Sequence, residues 1–183
     1  MKAGTVIHEF CARDGRKVVL RTPKWEDLND LLQMINALVA EEADIVRSEE
    51  VSKIEEIDWL ARALSRLEKD EVFYLAAEVD GKVVANSDIN RRQGGHDSHV
   101  GAIGIAIKDG YRDVGIGMQM MRTLIEQSRK MNLKVLTLSA FESNKRAIHV
   151  YEKVGFIQTG RIPRKFFREG KYIDEVIMTL VLE

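Results

Sequence analysis

Six consecutive residues, Arg112-Asp113-Val114-Gly115-Ile116-Gly117, have the types and spacing of an anion site. Glycines let neighbouring backbone N–H groups point in one direction, and a helix starting here adds the positive end of its dipole. Arg112 adds a permanent cation. A tight turn without a ligand would also explain this segment alone. The Gly-Lys-Ser/Thr ending of a Walker loop is missing, and Met120 stands where a dinucleotide fingerprint needs its third glycine.

A second stretch places an amide and a phenol on one side of a predicted helix. Asn144 and Tyr151 are seven residues apart, which is two helical turns, and the small Ala147 lies between them. Such a stripe could line a cleft. A helix cap followed by a core tyrosine is the alternative for this stretch alone.

The surrounding hydrophobic pattern predicts the elements that must hold these residues. Alternating or continuous apolar runs predict strands at 5–12, 16–22, 72–79, 82–90, 99–107, 134–140, 156–166 and 172–182. Helical periodicity predicts helices after Pro23 and over about 52–67, 117–131 and 144–154. The order β, β, α, α, β, β, β, α, β, α, β, β favours a mixed α/β fold in which helices pack on one sheet.

Turn and cap residues support these boundaries. Hairpin turns are predicted at Asp14-Gly15, Asp80-Gly81, Gln93-Gly94-Gly95 and Glu169-Gly170. Ser52 and Glu55 have the spacing of a capping box, and Pro23 is expected to open the first helix. Asn132 and Gly155 are expected to end the third and fourth helices.

Taken together, the two stretches and the strand before them resemble a known family. The pattern Ile105-Ala106-Ile107, Arg112-x-x-Gly115-x-Gly117 and Asn144-x-x-Ala147-x-x-x-Tyr151-x-x-x-Gly155-Phe156 closely resembles the GNAT family of acyl-CoA-dependent N-acyltransferases. The resemblance covers roughly residues 17–182. It implies a mixed, mostly antiparallel sheet that splays at the cofactor cleft, with helices on both faces. It also implies transfer of the acetyl group of acetyl-CoA to a primary amine.

The resemblance assigns a role to each motif. The loop at 112–117 would wrap the coenzyme A pyrophosphate, the strand at 105–107 would pair with the pantetheine arm, and Asn144 would bond to that arm. Tyr151 would protonate the departing thiolate. The implied cofactor-binding residues are Ile105, Ala106, Ile107, Arg112, Asp113, Val114, Gly115, Ile116, Gly117, Met118, Asn144, Ala147 and Tyr151. No metal is expected.

This sequence departs from the family pattern in two places. Asp113 puts an acid in the phosphate loop, so its side chain is expected to point into solvent. The stretch Gly101-Ala102-Ile103 lacks the glutamate that many members use as general base. His99, which begins the predicted strand, is the candidate base, because an imidazole side chain commonly serves as a general base. Asp88 on the neighbouring strand and a chain of waters are the alternatives, with Asp88 more often a solvated strand residue.

Deprotonation is the harder half of the predicted reaction. An alkylammonium of pKa ~10.4 is about one part in 2,500 neutral at pH 7, a deficit of roughly 4–5 kcal/mol. A thiolate with a conjugate thiol of pKa ~8.5 leaves more easily. Direct attack in a ternary complex is predicted, because the single cysteine, Cys11, has no evident activating partner. A non-catalytic acyl-CoA-binding module, or a binder of another nucleotide at the glycine loop, is the rival hypothesis.

The acceptor would meet two oppositely charged regions. Residues between the first two helices are acidic, and the last hairpin is basic, with Arg161, Arg164, Lys165, Arg168 and Lys171. An amino acid, a polyamine and a peptide amine all remain open as acceptors. A homodimer is also open.

Bulk properties bound the remaining choices. A chain of 183 residues fits one domain over 1–183, with 1–16 as an extra N-terminal strand before a core at 17–182. A net charge of −1 argues against a nucleic-acid partner, and no apolar run reaches the ~20 residues that span a membrane. A lone Cys11, expected to be buried or half-buried, favours the reducing cytoplasm.

Overall fold

The chain forms a sheet covered by helices, seen in a computed structural model that describes residues 1–91 and 94–182. The strands are β1 (Val6–Cys11), β2 (Lys17–Arg21), β3 (Val72–Val79), β4 (Lys82–Arg91), β5 (Val100–Ile107), β6 (Val135–Phe141), β7 (Ile157–Arg168) and β8 (Lys171–Val181). The helices are α1 (Leu28–Ala40), α2 (Lys53–Glu68), α3 (Ile116–Lys130) and α4 (Lys145–Lys153). The predicted element order is confirmed.

Strands of the described residues lie in the order β1-β2-β3-β4-β5-β6-β8-β7. Neighbours are antiparallel except β5 and β6, which run parallel. Their described pairing begins at Val100 with Val135 and ends at Ala102 with Thr137. Beyond these residues the two strands part, so the predicted splay of the sheet is confirmed.

Helices cover both faces of the sheet, as predicted. Side chains of successive strand residues point to opposite faces, so Leu75 and Ala76 of β3 mark the two sides. Leu75 packs in one cluster with Met120 and Leu124 of α3. Ala76 packs in another with Leu31 of α1 and other residues of α1 and α2.

Local signals at the element ends behave as the sequence predicts, with one exception. The Ser52 hydroxyl accepts from the Glu55 N–H, and the Glu55 carboxylate accepts from the Ser52 N–H at 2.8 Å. Asn132 and Gly155 end their helices with φ of 58° and 102°. Pro23 does not open α1: a short 3₁₀ turn at Trp25–Asp27 intervenes, and α1 begins at Leu28.

Three further expectations concern Cys11, the turn at 93–95 and membrane-spanning helices. Cys11 lies exposed on the edge strand β1, so the prediction that it is buried or half-buried is wrong. Gln93 of the predicted turn lies outside the described residues, whereas Gly94 and Gly95 have positive φ angles of 78° and 93°. Over residues 1–91 and 94–182, no helix is long and apolar enough to cross a membrane.

Candidate active site

A cavity of about 790 Å³ opens where β5 and β6 diverge. Its walls include Ile103–Ile107 of β5 and Ser139–Phe141 of β6. The starts of α3 and α4 and residues 42–46, after α1, also line the cavity. Because β6 leaves β5 after Ala102, the rest of that strand edge faces the cavity. A free strand edge can pair with an extended ligand through backbone hydrogen bonds.

The glycine loop forms the end of the cavity near α3. Asp113 and Gly115 have φ of 60° and 97°, in the left-handed region, and α3 begins directly afterwards at Ile116. Within the described chain, the N–H groups of residues 112–117 donate no hydrogen bond. A concave run of free N–H groups at a helix start suits a phosphate. A Cβ on Gly117 would lie 3.0 Å from Ile107 Cδ1, so the loop packs tightly against β5.

Basic side chains lie around this loop, and two of them, Arg112 and Arg146, form ion pairs within the protein. Arg112 donates through Nε to the Ile107 carbonyl at 2.8 Å, and its guanidinium forms an ion pair with Glu41. Arg146 pairs with Asp113 at 2.9 Å. The Asp113 side chain is 63% exposed, so it points into solvent as expected. Arg112 therefore joins the end of α1 to the end of β5, besides adding charge.

Arg13 is a cavity residue that the sequence analysis missed. The β1–β2 turn docks on the glycine loop: the Arg13 N–H donates to the Val114 carbonyl at 2.9 Å, and the Arg16 guanidinium donates to the Gly110 carbonyl at 2.8 Å. The Arg13 side chain lines the cavity and makes no ion pair with a described residue. A basic residue in a hairpin turn carries no local signal of this contact, because the contact spans about 100 residues of chain.

The helix α4 presents its predicted stripe to the cavity, where Asn144, Ala147 and Tyr151 all lie on the wall. The Asn144 Oδ1 also caps α4 by accepting from the Ala147 N–H at 3.1 Å, which leaves its Nδ2 for a ligand. Tyr151 packs against Phe156 with ring centres 6.4 Å apart. Burial raises the pKa of Tyr151 to about 12, so the phenol stays protonated over the physiological range.

One face of β5 has only the small residues Ala102, Gly104 and Ala106, and the surface above Ala102 and Gly104 is here called the hollow. Ala102 and Gly104 are exposed although β5 is a central strand of the sheet. Ala102 is paired with Thr137 of β6, so the side chains of Thr137 and Ser139 share this face. The absence of bulky side chains leaves space above β5, with hydroxyl groups beside it.

The two candidate bases lie in different surroundings. His99 is exposed in the turn before β5 and is not part of the cavity wall. Asp88 of β4 is paired with Gly104, and a Cβ on Gly104 would lie 3.0 Å from Asp88 Oδ1. Burial raises the pKa of Asp88 to about 6. Asp88 is half-buried beside Gly104 of the cavity wall rather than solvated.

A segment after α1, residues 41–51, is here called the strap, and its residues 42–46 line the cavity. Besides the Glu41–Arg112 pair, Asp44 binds Arg168 of β7 at 2.8 Å. Arg168 also donates to the Glu42 carbonyl at 2.9 Å. The predicted acidic region and the basic hairpin thus neutralise each other in part. Within the described residues, no cluster of three or more His, Cys, Asp or Glu side chains could hold a metal ion.

The cavity combines a free strand edge with a helix start whose N–H groups are free, which suits an extended ligand that carries phosphates. Comparison with known proteins agrees: a sequence profile described as "Acetyltransferase (GNAT) family" matches residues 31–156. The L-amino acid N-acetyltransferase AaaT of Escherichia coli K12 is 32% identical over 108 residues, which are 58% of this chain and 67% of that enzyme.

Two further similarities span shorter or more distant sequence. The L-methionine sulfoximine/L-methionine sulfone acetyltransferase of Pseudomonas paraeruginosa is 28% identical over 43% of this chain and 46% of its own length. A GNAT superfamily phosphinothricin acetyltransferase of Sinorhizobium meliloti, solved in complex with acetyl-CoA, superimposes with a TM-score of 0.79. That match covers 90% of this chain and 88% of the other at 17% identity, and so shows the shared fold.

The chain belongs to the GNAT family of acetyltransferases. It is an N-acetyltransferase whose acetyl donor is acetyl-CoA. The rival hypothesis of a non-catalytic binding module is not favoured by these similarities.

Proposed function

We propose that this enzyme acetylates the amino group of a small amino acid or a close analogue by direct attack on acetyl-CoA within a ternary complex. The observation that carries the proposal is the divergence of β5 and β6. The opening between these strands lies beside the loop with free N–H groups, and Gly104, which borders the polar hollow, also lines it.

The donor would lie along the β5 edge. Backbone N–H groups of residues 112–117 and the start of α3 would hold its pyrophosphate, and Arg13 would add a cation. The strand Ile105–Ile107 would pair with the pantetheine arm, and the Asn144 Nδ2 would donate to it. The remaining proposed contact residues are Met118, Ala147 and Tyr151, which also line the cavity.

Tyr151 would support the leaving group. A phenol that stays protonated can donate a hydrogen bond to sulfur as negative charge develops there. His99, the base expected from the sequence, lies in an exposed turn and does not line the cavity. As a base it would have to act from the protein surface near the start of β5.

The ion pairs of the strap favour a zwitterionic acceptor over a polyamine. Glu41 and Asp44, the acids of the strap with ion-pair partners, are neutralised by Arg112 and Arg168. A polyamine carries several ammonium groups, and these two carboxylates would have to be unpaired to bind them. The Ser139 hydroxyl can instead donate to a carboxylate, whereas the Thr137 hydroxyl already donates to the Gly101 carbonyl. The named substrates of the two curated relatives, L-amino acids and L-methionine derivatives, agree with this class.

The test is release of free coenzyme A thiol from acetyl-CoA with a panel of amines, followed by mass analysis of the products. L-Amino acids and their sulfoximine or sulfone analogues should give turnover above the buffer rate, and the matching amino acid amides, which lack the carboxylate, should react less. Turnover with polyamines or peptides alone would contradict the acceptor class. Binding of acetyl-CoA without turnover of any amine would favour the silent binder.

Self-association is part of the proposal as well. The edge strand β7 has one side free in the described sheet and exposes Ile157, Ile162 and Phe167. A homodimer would cover these groups. Light scattering should give twice the chain mass of 20.8 kDa.

A further inference from the structure

Three polar side chains of β4 lie beside three small residues of β5. The sheet register pairs Asn86 with Ala106, Asp88 with Gly104 and Asn90 with Ala102. Directly paired residues of an antiparallel sheet place their side chains on the same face. Because the β5 partners have little or no side chain, nothing on β5 separates the polar groups of β4 from the hollow above Ala102 and Gly104.

The Asp88 side chain lies directly against Gly104. Its Oδ1 lies 3.0 Å from the point where Gly104 would carry a Cβ, so the carboxylate occupies the space left by the missing side chain. Gly104 itself belongs to the cavity wall. The neighbouring Asn90 amide donates to the Asp88 Oδ2, which fixes the orientation of the carboxylate. The backbone of β5 thus has an acid lying against it, supplied by another strand.

The surroundings of Asp88 contain little opposing charge. Arg66 of α2 is the cation that lowers its pKa, and Asn90 lowers it by hydrogen bonding, but burial outweighs both. On the β3 side it faces Tyr74, whose own pKa is raised by burial and by the Asp88 charge. The β5 side offers only Gly104. This carboxylate is ionised at neutral pH yet basic enough to take a proton.

We propose that Asp88 is the general base of the transferase, delivered from β4 in place of the missing β5 glutamate. The inference rests on the proposed function, because it needs an ammonium acceptor in the hollow. Asp88 takes one proton from the acceptor ammonium, directly or through one water. The freed nitrogen lone pair forms the C–N bond as the C–S bond breaks, and the second amine proton ends on the sulfur, giving amide and free thiol.

The experiment compares wild type with Asp88→Asn, using an acceptor on which wild type turns over. The variant should lose about 100-fold in kcat/KM at pH 7, the usual size of a general-base contribution. Wild-type kcat/KM should level off above an apparent pKa near 6, whereas the variant should keep rising about tenfold per pH unit to pH 8, because only the neutral amine then reacts.

Two controls separate catalysis from folding. Asp80→Asn makes the same chemical change in the exposed turn of the same hairpin and should leave kcat/KM unchanged within twofold. The Kd of coenzyme A should agree within threefold for wild type and both variants. A loss in Asp88→Asn that appears equally in coenzyme A affinity, or equally in Asp80→Asn, would overturn the catalytic role.

A readout independent of turnover is the carboxyl ¹³C titration of Asp88 in the ligand-free protein. A midpoint near 6 supports a base, and a midpoint near 4 overturns it. Wild-type rates that persist in Asp88→Asn with an unchanged pH profile would also refute the proposal while leaving the transferase function intact. If wild type acetylates no amine, the proposed function and the role of Asp88 fall together.

Discussion

Tyr151 shows how burial limits what a single side chain can do. Its pKa of about 12 lies ~3.5 units above that of a typical thiol, so complete proton transfer to a thiolate is uphill by about 5 kcal/mol. A hydrogen bond to sulfur does not meet this cost and can strengthen as charge develops. We therefore infer that Tyr151 acts as a hydrogen-bond donor, and that the acceptor's own second proton completes the thiol.

Tyr151→Phe tests this role with a minimal change in shape. We expect kcat to fall about 10- to 100-fold, the range for losing one donor to developing charge. The Kd of coenzyme A should change less than threefold, because the ring still packs against Phe156. Steady-state kinetics and calorimetry measure the two quantities. A variant with wild-type kcat would refute the donor role.

Asp88 should make folding stability depend on pH. Its pKa rises from 3.8 in the unfolded chain to about 6 in the folded protein, so the folded state binds the proton more tightly. The stability from that proton is complete below pH 3.8 and is lost as the pH rises through 6. The loss at pH 8 is about 3 kcal/mol.

The free energy of unfolding of Asp88→Asn should accordingly exceed that of wild type by up to about 3 kcal/mol at pH 8. At pH 3.5 the titration of Asp88 should contribute no difference between the two proteins. Urea unfolding at the two pH values measures the difference. A gain in stability combined with a loss in activity is expected when a functional site is kept at the expense of folding. The same difference at both pH values would argue against a raised pKa.

At the scale of elements, the β1–β2 hairpin does more than extend the sheet. Its turn holds the glycine loop from outside through Arg13 and Arg16, and the Arg16 guanidinium also lies 4.3 Å from the Tyr111 ring centre. The hairpin lies outside residues 31–156, the part matched by the family profile. It therefore adds a cation to the cavity beside the glycine loop, where we propose that the pyrophosphate binds.

Arg13→Ala should weaken coenzyme A binding about 2- to 5-fold, as expected for one exposed cation near a phosphate, and less at high salt. Lys17→Ala is the matched control, since Lys17 lies on the same hairpin, is exposed and pairs with Glu9. Calorimetric titration at two salt concentrations gives the comparison. Equal losses in both variants would mean a general charge effect, not contact through Arg13.

Across the whole molecule, ion pairs beside the cavity link segments that are far apart in sequence. The strap is tied to the glycine loop by Arg112 and to the last hairpin by Arg168. These links join residues more than 70 positions apart. A ligand that bridges the same parts should therefore stabilise the complete fold.

Acetyl-CoA at 100 times its Kd should stabilise the folded protein by ~2.7 kcal/mol, which is readily seen as a higher Tm. ATP and NAD should give no shift at the same concentration. Differential scanning fluorimetry makes the comparison. A shift with ATP equal to that with acetyl-CoA would contradict the cofactor site.

The sequence by itself determined the features that depend on neighbouring residues. Gly115 and Asn132 need left-handed backbone, Ser52 and Glu55 cap each other, and the spacing of Asn144 and Tyr151 puts both on one helical stripe. The hydrophobic pattern predicted the element order, and the resemblance to the GNAT family implied the splayed sheet and the cofactor. Pro23 was misjudged because a 3₁₀ turn satisfies the same local preferences as a helix start.

Only the tertiary structure decided which distant side chains share a cavity. Asp88 and His99 both precede β5 in the sequence. The register of β4 and β5 places Asp88 opposite Gly104, whereas His99 lies in an exposed turn. Arg13 contacts the glycine loop, although about 100 residues of chain separate the two. Register and long-range docking depend on the packing of the whole sheet, and no local pattern in the chain specifies them.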